Sequence, residues 1–320
     1  MKLIVKPSRL AGEIAVIGSK SHTIRGIAAA LMANGTSVLH APLDSADTRS
    51  TLGAAMAFGA EVRETEGRWE ITGTGGKLSD PGRTLDLGNS GTGLRMLTGL
   101  AATCDFPVHF DGDASLRTRL MKGLFDALRP LGAEIDASRD KCPFTIRGAI
   151  RGGSTRVDGT TSQFLTSLLF TLPTVEGDSV VDLDFLHEKP YVGITLNWLE
   201  SFNIRCRHSD DLLHWEIPGG QRFPAFERVI PADFSTAAFP LVAAALAGDD
   251  QLGGAARTGR QDRVDFFHDI NVVQALAAGL GPADILQVLQ RTFLAVHVVW
   301  AVAGVGQFAA AFQHGGYIIV

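Results

Sequence analysis

A small polar residue opens an apolar, helix-like stretch four times in this chain, at Ser21, Ser90, Ser162 and Ser235, with intervals of 69, 72 and 73 residues. Spacing this regular points to one folding unit repeated. The stretches at 23–32, 93–102, 164–172 and 236–247 carry apolar residues at helical spacing, as in Ile24, Ile27, Ala28 and Leu31 or Phe164, Leu165, Leu168 and Leu169. A second landmark keeps the period. Phe58-Gly59-Ala60, Leu131-Gly132-Ala133 and Phe202-Asn203-Ile204 set Gly or Asn 73 and 71 residues apart, where a left-handed residue ends a helix and a short strand follows. Amphipathic stretches at 48–58, 118–131 and 193–202 lead into these positions. Strands are predicted at 37–40, 108–110 and 179–183, with further short ones at 69–72, 144–147 and 214–217. Gly73-Thr74-Gly75-Gly76 reads as a plain turn. Helices alternating with strands predict an α/β fold in which helices cover sheets, and the long period favours compact units over a solenoid.

Each mouth carries a capping-type residue, and the first N–H groups of a helix lack intrahelical partners. Several such starts gathered by a repeated architecture would form a concave site suited to anions. The residue types agree. Gly18-Ser19-Lys20-Ser21-His22-Thr23-Ile24-Arg25 puts Lys20 at a helix mouth and Arg25 within the first turn, a point charge for phosphate and a bidentate fork for carboxylate or phosphate. Gly88-Asn89-Ser90-Gly91-Thr92-Gly93-Leu94-Arg95 is a glycine-rich turn that lets backbone amides approach an anion, without the Gly-Lys-Ser/Thr ending of a nucleotide P-loop. Thr160-Thr161-Ser162-Gln163 repeats the theme with hydroxyls and an amide, and Arg117 and Arg119 stand beside the turn at Gly112-Asp113. Singly, each has a plainer reading. A Ser or Gly before a helix is usually only a cap, and Arg117 and Arg119 alone fit a solvated helix face. His22, His40, His109 and His187 have no partner at metal-ligand spacing, which argues against zinc. Anion-type residues in register at all four mouths outweigh the plainer readings.

Composition excludes several classes. A net charge of −5, from 34 acidic and 29 basic residues, gives no global basic field for nucleic acid or an anionic membrane, so anion affinity must be local. At 320 residues, 45% hydrophobic, the chain has material for roughly two domains. Cys104, Cys142 and Cys206 are odd in number and far apart, as expected of free, buried thiols in a reducing compartment. The apolar run at the N-terminus is too short for a signal peptide, so a cytoplasmic location is expected.

Gly18 to Arg25, Asp47-Thr48, Gly88-Asn89-Ser90-Gly91-Thr92 with Arg95, Gly112-Asp113 with Leu116 and Arg119, Thr161-Ser162-Gln163-Phe164-Leu165, Lys189-Pro190-Tyr191, and Asp233 with Ser235-Thr236-Ala237 form an ordered set over about residues 1–248. This set resembles the 5-enolpyruvylshikimate-3-phosphate synthase family, the 3-phosphoshikimate 1-carboxyvinyltransferases. The resemblance implies an inside-out α/β fold of two domains built from repeated βαβαββ units. It places a complete three-unit domain at 18–230, and an incomplete second domain at 1–17 with 231–320, atypical from about 249. It implies transfer of the enolpyruvyl group of phosphoenolpyruvate to the 5-hydroxyl of shikimate 3-phosphate, without metal or organic cofactor, in a protein expected to be monomeric. Lys20 and Gln163 would be the catalytic residues. Lys20, Ser21, Arg25, Thr161, Ser162, Gln163 and Tyr191 would hold shikimate 3-phosphate, and Lys20, Asn89, Gly91, Thr92, Arg119 and Gln163 would hold phosphoenolpyruvate.

The chain also departs from the pattern. Where the family carries a serine contacting the shikimate phosphate, just before Lys189-Pro190-Tyr191, this chain has Glu188, which must turn away or weaken binding. A fifth helix mouth is due near residue 307, yet Gly304-Val305-Gly306-Gln307-Phe308-Ala309 offers no cap and no anion ligand, and the family's later motifs are absent. The nearly uncharged run at 293–312 is long enough for a bilayer, but His297, Gln307 and several glycines dilute it and no basic flank orients it. A truncated or frame-shifted end accounts for it better. Three functions stay open: the shikimate-pathway transferase, the sister reaction on UDP-N-acetylglucosamine, and a binding-only remnant. The sister family carries a reactive Cys in the loop where this chain has 113–119, and none is present there.

Overall fold

In the computed structural model, residues 13–233, 236–237, 257–258 and 316–319 are described. The chain divides into two compact units, Lys20–Val229 and Met1–Ser19 with Ile230–Val320. After β1 (Glu13–Ala15) come α1 (Lys20–Met32), β2 (Thr36–His40), α2 (Ala46–Ala57), β3 (Glu61–Thr65) and β4 (Arg68–Thr72). The pattern returns as β5 (Leu85–Asp86), α3 (Gly91–Ala101), β6 (Val108–Asp111), α4 (Lys122–Leu128), β7 (Glu134–Ala137) and β8 (Phe144–Arg147). It returns again as β9 (Ser154–Arg156), α5 (Ser162–Thr171), β10 (Ser179–Asp182), α6 (Lys189–Ser201), β11 (Arg207–His208) and β12 (His214–Ile217), followed by β13 (Glu227–Val229). The last described strands are β14 (Arg257–Thr258) and β15 (Gly316–Ile319).

Each repeat makes one four-stranded sheet of the same order. β5 runs parallel to β6, β6 antiparallel to β8, and β8 antiparallel to β7. β9, β10, β12 and β11 reproduce that arrangement. In the first repeat the opening strand is β13, delivered from the far end of the unit, with Glu227 opposite Val38 in parallel register beside β2. Alternating burial along β2 and β12 shows one face of each sheet covered.

What covers them is helix. Residues 22–32 of α1 are all buried, as are 164–171 of α5, so these helices are covered on every side rather than along one stripe. α3 lies against α5 through Gly99, where a Cβ would fall 2.4 Å from Ser167 Oγ and 2.5 Å from Thr171 Oγ1. α6 buries one stripe only, Val192, Thr195, Trp198 and Leu199. Gly59, Gly132 and Asn203 all take positive φ, as their place at helix ends requires.

Two local expectations are corrected. Ser90 caps α3 as read, but Ser21 and Ser162 lie inside their helices, and the residue whose side chain caps α5 is Thr161. Residues 73–76 are not a plain turn. Thr74 and Gly75 donate their N–H groups to Leu31 O at 2.8 Å and Ala33 O at 2.9 Å, satisfying carbonyls left free at the end of α1. A Cβ on Gly73 would stand 2.1 Å from Ala30 O, so no other residue lets the segment come this close.

In the other unit, β15 pairs antiparallel with both β1 and β14. Gly18 bridges Ala232, and Ser19 N–H donates to Pro231 O at 2.7 Å. The apolar run at 293–312, the position near 307 and the fourth mouth at Ser235 lie outside the described residues. Among the described residues no helix is long and apolar enough to cross a membrane. Cys104 and Cys142 are free and buried, which pushes both thiols up to about 12.

Candidate functional site

The first residues of α1, α2, α3, α5 and α6 meet around one cavity of about 310 Å³ in the Lys20–Val229 unit. Each start is prepared locally. At α3, Asp86 Oδ1 accepts the Gly88 N–H at 2.8 Å, Gly88 turns at φ +54°, and Ser90 Oγ accepts the Gly93 N–H at 3.3 Å. At α2, Ser45 and Thr48 form a reciprocal capping box. Helix starts carry partial positive charge and unpaired N–H groups, so their convergence favours anions in the space between them.

Cations reinforce that field. Arg25 lines the cavity yet is 1% exposed, and burial pushes its guanidinium down to about 10. Its partners are neutral oxygens: Thr195 Oγ1 at 3.0 Å, Ser21 O at 3.0 Å, Tyr191 O at 3.1 Å and Thr166 Oγ1 at 3.3 Å. Among the described residues no carboxylate pairs with it. Lys20 Nζ reaches Asp47 Oδ2 at 3.0 Å across the mouths of α1 and α2.

The turn at Gly112-Asp113 sets the third cation. Asp113 N–H donates to Gly88 O at 2.8 Å and Asp113 Oδ1 accepts the Leu116 N–H at 2.8 Å, laying this loop over the glycine turn. There is no room for a side chain at Gly112, whose Cβ would stand 2.6 Å from Gly88 O. The two arginines of the loop then part. Arg117 forms a forked, exposed pair with Asp111, at 2.8 and 2.5 Å, which holds that carboxyl below its ordinary range. Arg119 turns into the cavity and donates to Asn89 Oδ1. A Cβ on Gly91 would fall 2.6 Å from Arg119 Nη1, so glycine there admits the guanidinium.

Arg95, one turn into α3, stands behind this group. It donates to Gln163 Oε1 at 2.5 Å, lies over the Phe164 ring at 5.2 Å, and is pushed down to about 10 by burial and then by Arg119. Gln163 thus presents its carbonyl to a cation, which leaves its amide N–H₂ as donor.

Of the site residues expected from the sequence, Lys20, Ser21, Arg25, Asn89, Gly91, Thr92, Arg119, Ser162, Gln163 and Tyr191 line the cavity. Thr161 does not; it sits beside it as the cap of α5. Asp47 and Glu188 complete the lining and were not among the expected ligands. Asp47 follows the cap of α2, a position where acids are ordinary, so nothing in its local sequence marks it as the partner of Lys20. Glu188 does not turn away from the site. Its Oε2 accepts from Ser162 Oγ at 3.0 Å, Ser162 N–H at 3.2 Å and Thr161 Oγ1 at 3.3 Å.

Fold and site together define an α/β protein of repeated units that gathers helix starts and arginines around one cavity. The family model for EPSP synthase (3-phosphoshikimate 1-carboxyvinyltransferase) matches residues 4–255, and the chain belongs to this family. A 3-phosphoshikimate 1-carboxyvinyltransferase of Ruminiclostridium cellulolyticum is 40% identical over 77% of this chain and 58% of its own length. One of Acetivibrio thermocellus is 37% identical over 78% of this chain and 59% of its own. The chain therefore spans rather less than two thirds of these relatives. An EPSP synthase structure from Acinetobacter baumannii superposes with a TM-score of 0.71 at 23% identity, covering 98% of this chain and 65% of that one, and shows the same fold.

Proposed function

We propose that the Lys20–Val229 unit binds shikimate 3-phosphate and phosphoenolpyruvate, and that the protein serves transfer of the enolpyruvyl group to the shikimate 5-hydroxyl with release of phosphate. The observation that carries this reading is Arg25, a buried cation held by neutral oxygens at the floor of a cavity ringed by helix starts. Such a site is electrostatically unfinished until an anion enters. Ser21, Arg25, Thr161, Ser162 and Tyr191 hold shikimate 3-phosphate; Asn89, Gly91, Thr92 and Arg119 hold the phosphate and carboxylate of phosphoenolpyruvate. Lys20 and Gln163 face both. In the reaction the 5-hydroxyl oxygen loses its proton and adds to the carbon that bears the phosphate ester while the methylene carbon is protonated, giving a tetrahedral adduct with a methyl group. That methyl then loses a proton as the C–O bond to phosphate breaks, which restores the double bond and releases phosphate. Fixed cations and helix starts offset the repulsion between two polyanions and stabilise charge on the adduct without reorganising. The sister reaction on UDP-N-acetylglucosamine finds no support here, since no cysteine is among the described residues that line the cavity.

Calorimetry with each substrate tests the assignment. Arg119→Ala should weaken phosphoenolpyruvate by about 1.5–3 kcal/mol, the value of a charge-assisted contact, with shikimate 3-phosphate nearly unaffected. Equal losses for both ligands reject the division of roles. Phosphate release with both substrates saturating separates a transferase from a protein that only binds, a distinction the family match, which ends at residue 255, does not make.

A further inference from the structure

Glu188 is the cavity residue that an anion-binding site has no evident use for. Its backbone is left-handed, φ 56° and ψ 38°, unusual for a residue with a side chain. That turn, just before α6, carries the carboxylate across to α5, where a single oxygen receives a backbone N–H and two hydroxyls within 3.3 Å. This is the way a helix start holds an anion. The donors are those that would hold the phosphate of a ligand, so the subsite is already filled by a group of the same charge sign. The carboxylate also faces the cation Arg95, whose charge it favours.

We propose that Glu188 is a resident occupant of the phosphate subsite and determines its ligand specificity. A phosphate monoester enters only by displacing the carboxylate from Thr161 and Ser162, whereas a ligand with a neutral group at that position enters without doing so. When the cavity is empty, Glu188 satisfies the donors and offsets part of the charge of the arginines. The inference deepens the function proposed above and rests on it for the identity of the natural ligand, but the competition itself concerns any phosphate.

The experiment compares the wild-type chain with Glu188→Gln and Glu188→Ser, two variants that remove the charge with and without keeping the length. The probes are shikimate 3-phosphate, inorganic phosphate and unphosphorylated shikimate, followed by calorimetry. Both variants should bind the two phosphates about 10- to 100-fold more tightly, the range of one charge-assisted contact, with shikimate unchanged. Adding Ser162→Ala to Glu188→Gln should shrink the gain, since one of the three freed donors, the Ser162 hydroxyl, is then missing while the Ser162 N–H and the Thr161 hydroxyl remain. A gain left undiminished by Ser162→Ala would mean a general charge effect and would overturn the proposal, as would unchanged or weaker binding of inorganic phosphate. Tighter inorganic phosphate with no binding of shikimate 3-phosphate in any form would uphold Glu188 as the occupant and discard the substrate assignment.

Discussion

The acceptors of Arg25 are a carbonyl of α1, a carbonyl of α6 and two threonine hydroxyls, so its charge is hydrogen-bonded but not neutralised. Burial pushes it down to about 10 from an ordinary 12.5, and the unfolded chain therefore holds this proton more tightly than the folded one. Stability rises with pH through that window, and at neutral pH the whole penalty is present. Replacing such a cation by an apolar residue of similar length is often neutral or stabilising. Arg25→Met should leave the melting temperature of the ligand-free protein unchanged or raised, while shikimate 3-phosphate affinity falls about 10- to 100-fold. A drop of several degrees without loss of affinity in the same variant would show that Arg25 serves the fold and not the ligand. Most of the site was legible because its residues recur at helix mouths. Glu188 was legible only as an anomaly, since its destination depends on a left-handed backbone turn that no local pattern announces.

Between elements, two glycines in helix interiors should respond oppositely to the same substitution. Gly99→Ala drives a methyl into Ser167 and Thr171 of α5, with a backbone oxygen at 3.1 Å behind them, and should destabilise by about 1–3 kcal/mol. Gly53→Ala in α2 meets nothing within 4 Å and should stabilise by about 0.5–1 kcal/mol through helix propensity. Urea unfolding of both variants reads the difference; shifts of the same sign would show that helix packing around α3 is looser than described. Helices and long strands were readable from periodicity, because each buries a face over several turns or residues. The opening strands β5, β9 and β13 were not, being two or three residues long and defined by partners far along the chain. The role of residues 73–76 is hidden for a related reason: they cap a helix that ended well before them, at Met32.

The Lys20–Val229 unit receives the chain at Ser19 and returns it at Ile230, and the flanking segments are hydrogen-bonded side by side through Gly18 with Ala232 and Ser19 with Pro231. Residues 20–229 expressed alone should therefore unfold in one cooperative transition and bind inorganic phosphate once Glu188 is replaced. Ending this fragment at 222 removes β13, leaves the edge of β2 unpaired, and should give aggregation or loss of the cooperative transition. A cooperative, soluble 20–222 fragment would refute the structural role given to β13. The out-of-order strand has a further meaning. Every sheet would be intact if the ends at 19 and 230 were joined and the chain opened instead between β8 and β9, so the present order of residues is one of several equivalent threadings of the same body. Circular permutation should be tolerated at the seams between repeats, and the helix starts that form the cavity would come together whichever repeat the ribosome made first.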